Sequence, residues 1–296
     1  MVDKVQVRTR DHNFEAVLWV LAGTAIFSLI FASAKLFNAT DWVWQIIFLR
    51  YLSGFVVMVA LIKFKGQPVA FSSAWPQHLG RAVAGSLGGF AAIYAAGHMP
   101  VSDAAAIGLL DSVFAVMLGI IIFHERIHLR RWYAIGGCAL GALLVLFEKG
   151  ALQSSDGFGF AALVALAGAM LLAIESVLIR TIAMRENAMA VLLQVNFFGA
   201  LLFAIPAFMT WDETSLMLKL SLCSLGPLAL LGQYCNIRGY RIAPLSVVAP
   251  VGYSWIVFGL CIDYWLFNQS VGMNALLGAT VILLSGFWLT KSDARY

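Results

Sequence analysis

Ten apolar runs divide the chain, at 16–37, 43–63, 81–98, 101–123, 132–148, 157–179, 188–209, 219–237, 245–267 and 272–290. About 20 mostly apolar residues are what an α-helix needs to cross the hydrocarbon of a bilayer. Inside that hydrocarbon each backbone N–H and C=O must bond within its own segment, so runs of this length are expected to be helices. Composition supports the same reading. Hydrophobic residues make up 61% of the chain and charged residues 11%, whereas a soluble domain carries roughly 25% charged residues. No stretch is polar and long enough to form a separate soluble domain. Short breaks separate the runs, marked by turn formers and charges: Asn38 to Asp41, Lys65-Gly66-Gln67-Pro68 and Glu148-Lys149-Gly150. No small-residue cleavage site follows the polar segment MVDKVQVRTRDHNFE, so a removed signal peptide is not expected.

The second half of the chain repeats the first. Residues 100–125 and 244–269 align at a constant offset of 144 residues. Pro100 falls on Pro244, Ser102 on Ser246, Ala105 on Ala249, Gly108 on Gly252 and Glu125 on Gln269. Each copy, 1–150 and 151–296, holds five runs. An odd number of crossings makes the second copy enter the membrane the opposite way round. Inverted repeats of this kind recur in secondary transporters, where the two halves exchange conformations around a central site.

The Lys/Arg bias sets the orientation. With the N-terminus in the cytoplasm, Lys63, Lys65, Arg81, Arg126, Arg130, Arg131, Arg180, Arg185, Arg238 and Arg241 all fall inside. Lys35, Lys149 and Lys219 fall outside, and Arg50 lies within a run. The net charge of +4 is spread over short loops and forms no nucleic-acid patch. Cys138, Cys223, Cys235 and Cys261 sit within apolar runs without metal-ligand spacing and read as packing residues.

Several motifs resemble the drug/metabolite transporter superfamily, in its ten-helix EamA-type branch. They are Phe48-Leu49-Arg50-Tyr51, the run Asp103-Ala104-Ala105-Ala106-Ile107, the ending Phe123-His124-Glu125-Arg126, and Ala249-Pro250-Val251-Gly252-Tyr253. The resemblance spans essentially the whole chain. It implies an all-α integral membrane protein of ten transmembrane helices in two inverted five-helix repeats. Gln269 stands where the family usually has a glutamate, and Gly252 where a bulkier or acidic residue is common.

Two sets of residues are candidates for function. The first is charged. Arg50 and Asp111 lie at similar depth and are expected to pair, since a charge in a bilayer needs a partner. Lys35 and Glu175 lie near opposite ends of equivalent runs, as opposed gate ends would, and Asp263 is placed to partner Lys35. The second set is aromatic and amide. Phe90, Tyr94 and His98 are spaced by four on one helical stripe. Gln233, Tyr234, Ile237 and Tyr240 fall on one side of the eighth run, and Phe90 maps onto Tyr234 across the repeat. Tyr253 and Trp255 follow Pro250, which lacks a backbone donor and frees a carbonyl. The pocket is thus read as Phe90, Tyr94, Asp111, Gln233, Tyr234, Tyr253 and Trp255. Asn196 and Gln194 are read as interhelical packing, and Glu125 as pairing locally. Gly85 and Gly89, and Gly137 and Gly141, make GxxxG patterns that allow close helix approach. The fifth and tenth runs are expected at the periphery, where they offer a homodimer contact.

GxSxG, HExxH, a P-loop and a Gly-rich dinucleotide turn are absent, so no enzyme activity or cofactor is expected. The resemblance implies a secondary transporter of small metabolites in the plasma (bacterial inner) membrane, with both termini cytoplasmic. Export of amino acids, aromatic ones included, is the leading expectation. Uptake of an organic cation, a nucleoside-like metabolite or a vitamin is the alternative, and Asp103, Asp111 and Asp263 would suit a cation.

Overall fold

The computed structural model describes residues 2–36, 43–69, 71–98, 101–125, 127–148, 159–211, 216–268 and 270–291. The side chains of residues 1–11 and of several helix-end residues, Lys35 and Asp103 among them, lie outside the described set. Among the described residues the chain is helical and has no strand. The elements are α1 (Val2–Leu36), α2 (Val43–Phe64), α3 (Trp75–His98), α4 (Val101–Gly108), α5 (Leu110–Phe123), α6 (Leu129–Glu148), α7 (Phe160–Arg185), α8 (Ala188–Met209), α9 (Leu216–Ile242), α10 (Leu245–Val248), a 3-10 stretch (Ala249–Tyr253), α11 (Ser254–Phe267) and α12 (Met273–Lys291). With α4 and α5 in one rod and α10 to α11 in another, the twelve α-helices make ten rods, one for each apolar run. Eight of the rods are long and apolar enough to cross a membrane; α12 contributes a shorter apolar helix, Met273–Trp288.

Three features depart from the runs read off the sequence. First, α1 begins at Val2, so the polar N-terminal segment is helical too. Second, α3 begins at Trp75, six residues before Arg81. Pro76 in its first turn has a φ already suited to a helix start, and the Ser72 hydroxyl accepts the Ala74 N–H at 3.0 Å just before it. Arg81 is therefore not a loop residue. It lies within a helix, about 9 Å from its start at 1.5 Å per residue. Third, both sequence-repeat stretches break midway. The fourth run breaks at Leu109, after Gly108, and the ninth becomes 3-10 from Ala249 to Tyr253 around Pro250.

The two breaks are bonded to each other. The Tyr253 hydroxyl donates to the Leu109 carbonyl at 2.9 Å, between residues 144 apart. Ser112 Oγ lies 3.1 Å from the Ala249 carbonyl and 2.9 Å from the Asp111 carboxylate. Its one proton serves either acceptor in turn. Irregular backbone at membrane depth needs such partners, because lipid supplies none. Tyr253→Phe should therefore lower unfolding stability by about 1 kcal/mol. Thermal unfolding of the purified chain in detergent checks this, and an unchanged midpoint would remove the Tyr253 hydroxyl as a support of the break.

The rods pack in pairs. α3 lies along α7, α1 along α9, α2 along α8, and α6 along α12. Small residues set the tightest approaches. A Cβ at Gly141 of α6 would stand 2.6 Å from the Gly278 carbonyl of α12. Cys138 on α6 faces the Ile282 carbonyl of α12 at 3.9 Å. The glycine faces of the fifth and tenth runs thus meet within one chain. Gly136 and Gly286 meet nothing within 4 Å.

Candidate functional site

A charged cluster sits inside the bundle where α2, α3, α5, α7 and α9 converge. Arg81 is 3% exposed, and its Nε lies 3.7 Å from Glu175 Oε1 on α7. Gly85, one turn along α3, makes room for that carboxylate: a Cβ there would stand 2.7 Å from Glu175 Oε2. Arg50 on α2 also acts electrostatically on Glu175. Its guanidinium carbon stands 4.2 Å from the centroid of the adjacent Tyr51 ring. Asp111, in the first turn of α5, shares a field with Glu175. Tyr240 on α9 feels Asp111, Glu175 and Arg81 together, and its hydroxyl lies 3.5 Å from Ser176 Oγ. Two guanidinium groups and two carboxylates thus share one neighbourhood. A charge at this depth is costly unless paired or wetted by a cavity.

An aromatic ladder starts at this cluster and runs toward the start of α2. Tyr51 stacks on Phe203 with centroids 5.9 Å apart. Phe203 meets Trp44 at 6.1 Å, and Trp44 meets Phe90 at 6.1 Å. Phe90 is followed by Tyr94 at 6.5 Å. Tyr94 stacks on His98 at 4.1 Å and takes Phe160 edge-on at 6.4 Å. The ladder therefore draws rings from α2, α3, α7 and α8.

The sequence-derived candidates divide into three groups. Phe90 and Tyr94 join the ladder, and Asp111 and Glu175 join the cluster. Arg50 forms no ion pair with Asp111 among the described residues: its guanidinium stacks on Tyr51 and acts on Glu175 through space, while Glu175 has Arg81 as its ion-pair partner. Gln233, Tyr234 and Tyr253 are taken by the protein itself. Gln233 is 6% exposed, and its carbonyl accepts from Asn196 Nδ2 at 3.1 Å. Tyr234 meets Trp19 edge-on at 6.0 Å, and Tyr253 is spent on Leu109. Trp255 is half exposed. Asp263 is half-buried in α11. The side chain of Lys35 lies outside the described residues, so neither its gate role nor its pairing with Asp263 is described.

Sequence reasoning missed Arg81 as a site residue. Its position at the edge of the third run suggested a loop, and the available signal was the Pro76 helix start five residues upstream.

One end of the bundle, rich in Arg, is bridged by Glu125. His124 ends α5 in the left-handed region, with φ 54°. This turns Glu125 across the bundle, where its carboxylate accepts the N–H groups of Leu245 at 2.8 Å and Ser246 at 3.0 Å. Arg180 reaches Glu125 at 3.5 Å and also donates to the Ala243 carbonyl. Arg131 donates to Ser246 Oγ at 3.1 Å. Glu125 therefore holds a helix start 120 residues away; Arg126, the local partner expected from the sequence, lies outside the described residues. Beside it, Arg241 bonds the carbonyls of Ala183 and Glu186, and His78 meets Glu186 at 2.9 Å.

Residues 14–147 match the model of the EamA-like transporter family. Three relatives cover nearly the whole chain. A pseudopaline exporter of Pseudomonas aeruginosa is 25% identical over 93% of this chain and 96% of its own. A riboflavin transporter of Rhizobium johnstonii is 27% identical over 94% and 91%. An S-adenosylmethionine uptake transporter of Rickettsia prowazekii is 19% identical over 94% and 93%. One crystal structure superposes with a TM-score of 0.74 at 16% identity, covering 93% of this chain and 98% of that one, which is a likeness of fold.

Proposed function

We propose, from the premise that this chain is an integral membrane permease of the drug/metabolite transporter superfamily with an EamA-like domain at residues 14–147, that it exports amino acids, aromatic ones included, by alternating access. One observation carries the reading: an aromatic ladder leads from the start of α2 to a buried cluster of two guanidinium groups and two carboxylates. A ladder of rings suits an apolar side chain, and a neutral set of charges suits a zwitterionic head. Transport in general follows from the family; the substrate and the direction are this reading's own.

Packing supports the two-repeat mechanism. Exchanging residues 1–150 with 151–296 turns the α3–α7 contact into α9–α1, and maps the α2–α8 and α6–α12 contacts onto themselves. The pairing is what an inverted repeat requires for two equivalent conformations. In this reading the Arg-rich end faces the cytoplasm of a bacterial inner-membrane protein, and the Glu125 bridge closes that side.

The test is counterflow in proteoliposomes loaded with a mixed amino-acid pool and offered labelled amino acids outside. Saturable accumulation is expected, falling about tenfold in Tyr94→Ala, in the range of losing one aromatic stacking partner. No accumulation with any amino acid, in protein that elutes as a single species, would sink the amino-acid reading. The riboflavin and S-adenosylmethionine relatives favour a second reading, uptake of a vitamin or nucleoside-like metabolite, whose flat ring would also stack on the ladder. Both compounds therefore form the second arm of the assay.

A further inference from the structure

Arg81 is more deeply buried than a surface arginine and less fully bonded than a structural one. Its side chain is 4% exposed, and its partner Glu175 is 26% exposed. Their 3.7 Å separation is longer than a hydrogen bond. Nε and Nη1 of Arg81 are both buried and donate to no hydrogen-bond acceptor among the described residues. A buried guanidinium normally uses its planar fork of donors on a carboxylate or carbonyl. Here two of the fork's nitrogens are left over.

The surroundings show where a ligand would lie. Glu175 keeps a quarter of its side chain exposed although it is ten residues from the end of α7. A carboxylate facing lipid at that depth is strongly disfavoured, which argues that its open side faces the interior of the bundle. Gly89, two turns beyond Arg81 on α3, meets nothing within 4 Å. Arg50 and Asp111 add a second cation and a second anion whose charges act on, or are acted on by, Glu175. The Tyr51 and Tyr240 rings both lie in the field of Arg81.

We propose that Arg81 and Glu175 form the head-group subsite of the permease, with Arg81 taking the carboxylate of an α-amino acid and Glu175, helped by Asp111, taking its ammonium group. The proposal rests on the amino-acid reading above and adds how the ligand is held. A zwitterion bound across the pair, on the unused donors of Arg81 and the open side of Glu175, supplies each with an opposite charge. The side chain of the bound amino acid points along the ladder, past Tyr51 toward Trp44 and Phe90. A ligand with only one of the two charged groups leaves Arg81 or Glu175 without a partner in a buried site. Such a site rejects analogues lacking the group it was built to bind.

The experiment is counterflow of labelled L-phenylalanine in proteoliposomes, with competition by phenethylamine, which lacks the carboxylate, and by 3-phenylpropionate, which lacks the ammonium. The wild-type chain should be inhibited by unlabelled L-phenylalanine at least tenfold more strongly than by either analogue. Glu175→Gln should narrow the gap to 3-phenylpropionate, and Arg81→Gln the gap to phenethylamine, each by fivefold or more. Removing one member of a buried pair can prevent folding. The double variant Arg81→Gln with Glu175→Gln, which buries no lone charge, therefore serves as the folded control and should lose both preferences. If L-phenylalanine is transported and these variants keep the wild-type ratios, the subsite is overturned while the amino-acid reading stands. If the wild-type chain transports no amino acid, both are overturned.

Discussion

Glu125→Ala should open the Arg-rich end of the bundle and lower the stability of the chain by about 3 kcal/mol. The Glu125 carboxylate makes two charge-assisted bonds, to the N–H groups of Leu245 and Ser246, and an ion pair with Arg180. Its side chain is 5% exposed and that of Arg180 is 10% exposed. Bonds to a charged group contribute about 1.5–3 kcal/mol each, and a buried charge left behind adds to the loss. The remaining bond from Arg180 to the Ala243 carbonyl limits that part. About 3 kcal/mol is enough to shift a two-state equilibrium by roughly a hundredfold. Two measurements check the expectation. The unfolding midpoint in detergent should fall, and a cysteine at Ser246 should react with a polar thiol reagent at least tenfold faster than in the Glu125 background. Glu125→Gln should fall between, since an amide oxygen still accepts an N–H but holds no charge for Arg180. Unchanged labelling and unchanged melting together would show that Glu125 does not hold this end closed.

Gly141→Leu should cost at least about 3 kcal/mol, the upper part of the range for overpacking. A side chain there would meet backbone. The nearest atom is the Gly278 carbonyl at 2.6 Å, followed by Ile282 Cγ1 and N at 3.0 Å. Backbone on a packed neighbouring helix cannot yield as a flexible side-chain end can. Gly136→Leu, on the same helix but facing open space, is the matched control and should stay near wild type. Size-exclusion profile and melting temperature read both variants. Equal behaviour would show that α6 and α12 do not depend on this contact.

Much of the fold was legible because a bilayer is a simple solvent. Each run was bounded by the length needed to cross it, so the structure's rods begin and end within a few residues of 43–63, 188–209 or 245–267. Inside the runs the same simplicity removed the signal. Apolar residues face lipid and protein alike, so periodicity could not tell Trp255, half exposed, from Tyr253, 1% exposed. It also could not tell a ring in the ladder, such as Tyr94, from one packed on a neighbour, such as Tyr234.

By itself the sequence determined the number of rods, the repeat at 144 residues and the basic end, because these follow from hydrophobic length, internal similarity and the placement of Lys and Arg. Tertiary structure decided the partners. Arg50 and Asp111 matched in depth, yet depth along a helix says nothing of which way a side chain faces. The approach of α3 to α7 across Gly85 gave Glu175 to Arg81 instead. The left-handed turn at His124 sent Glu125 to a helix start 120 residues away. An ionic partner is fixed by the rotation of two helices about their axes, and only their packing sets that rotation.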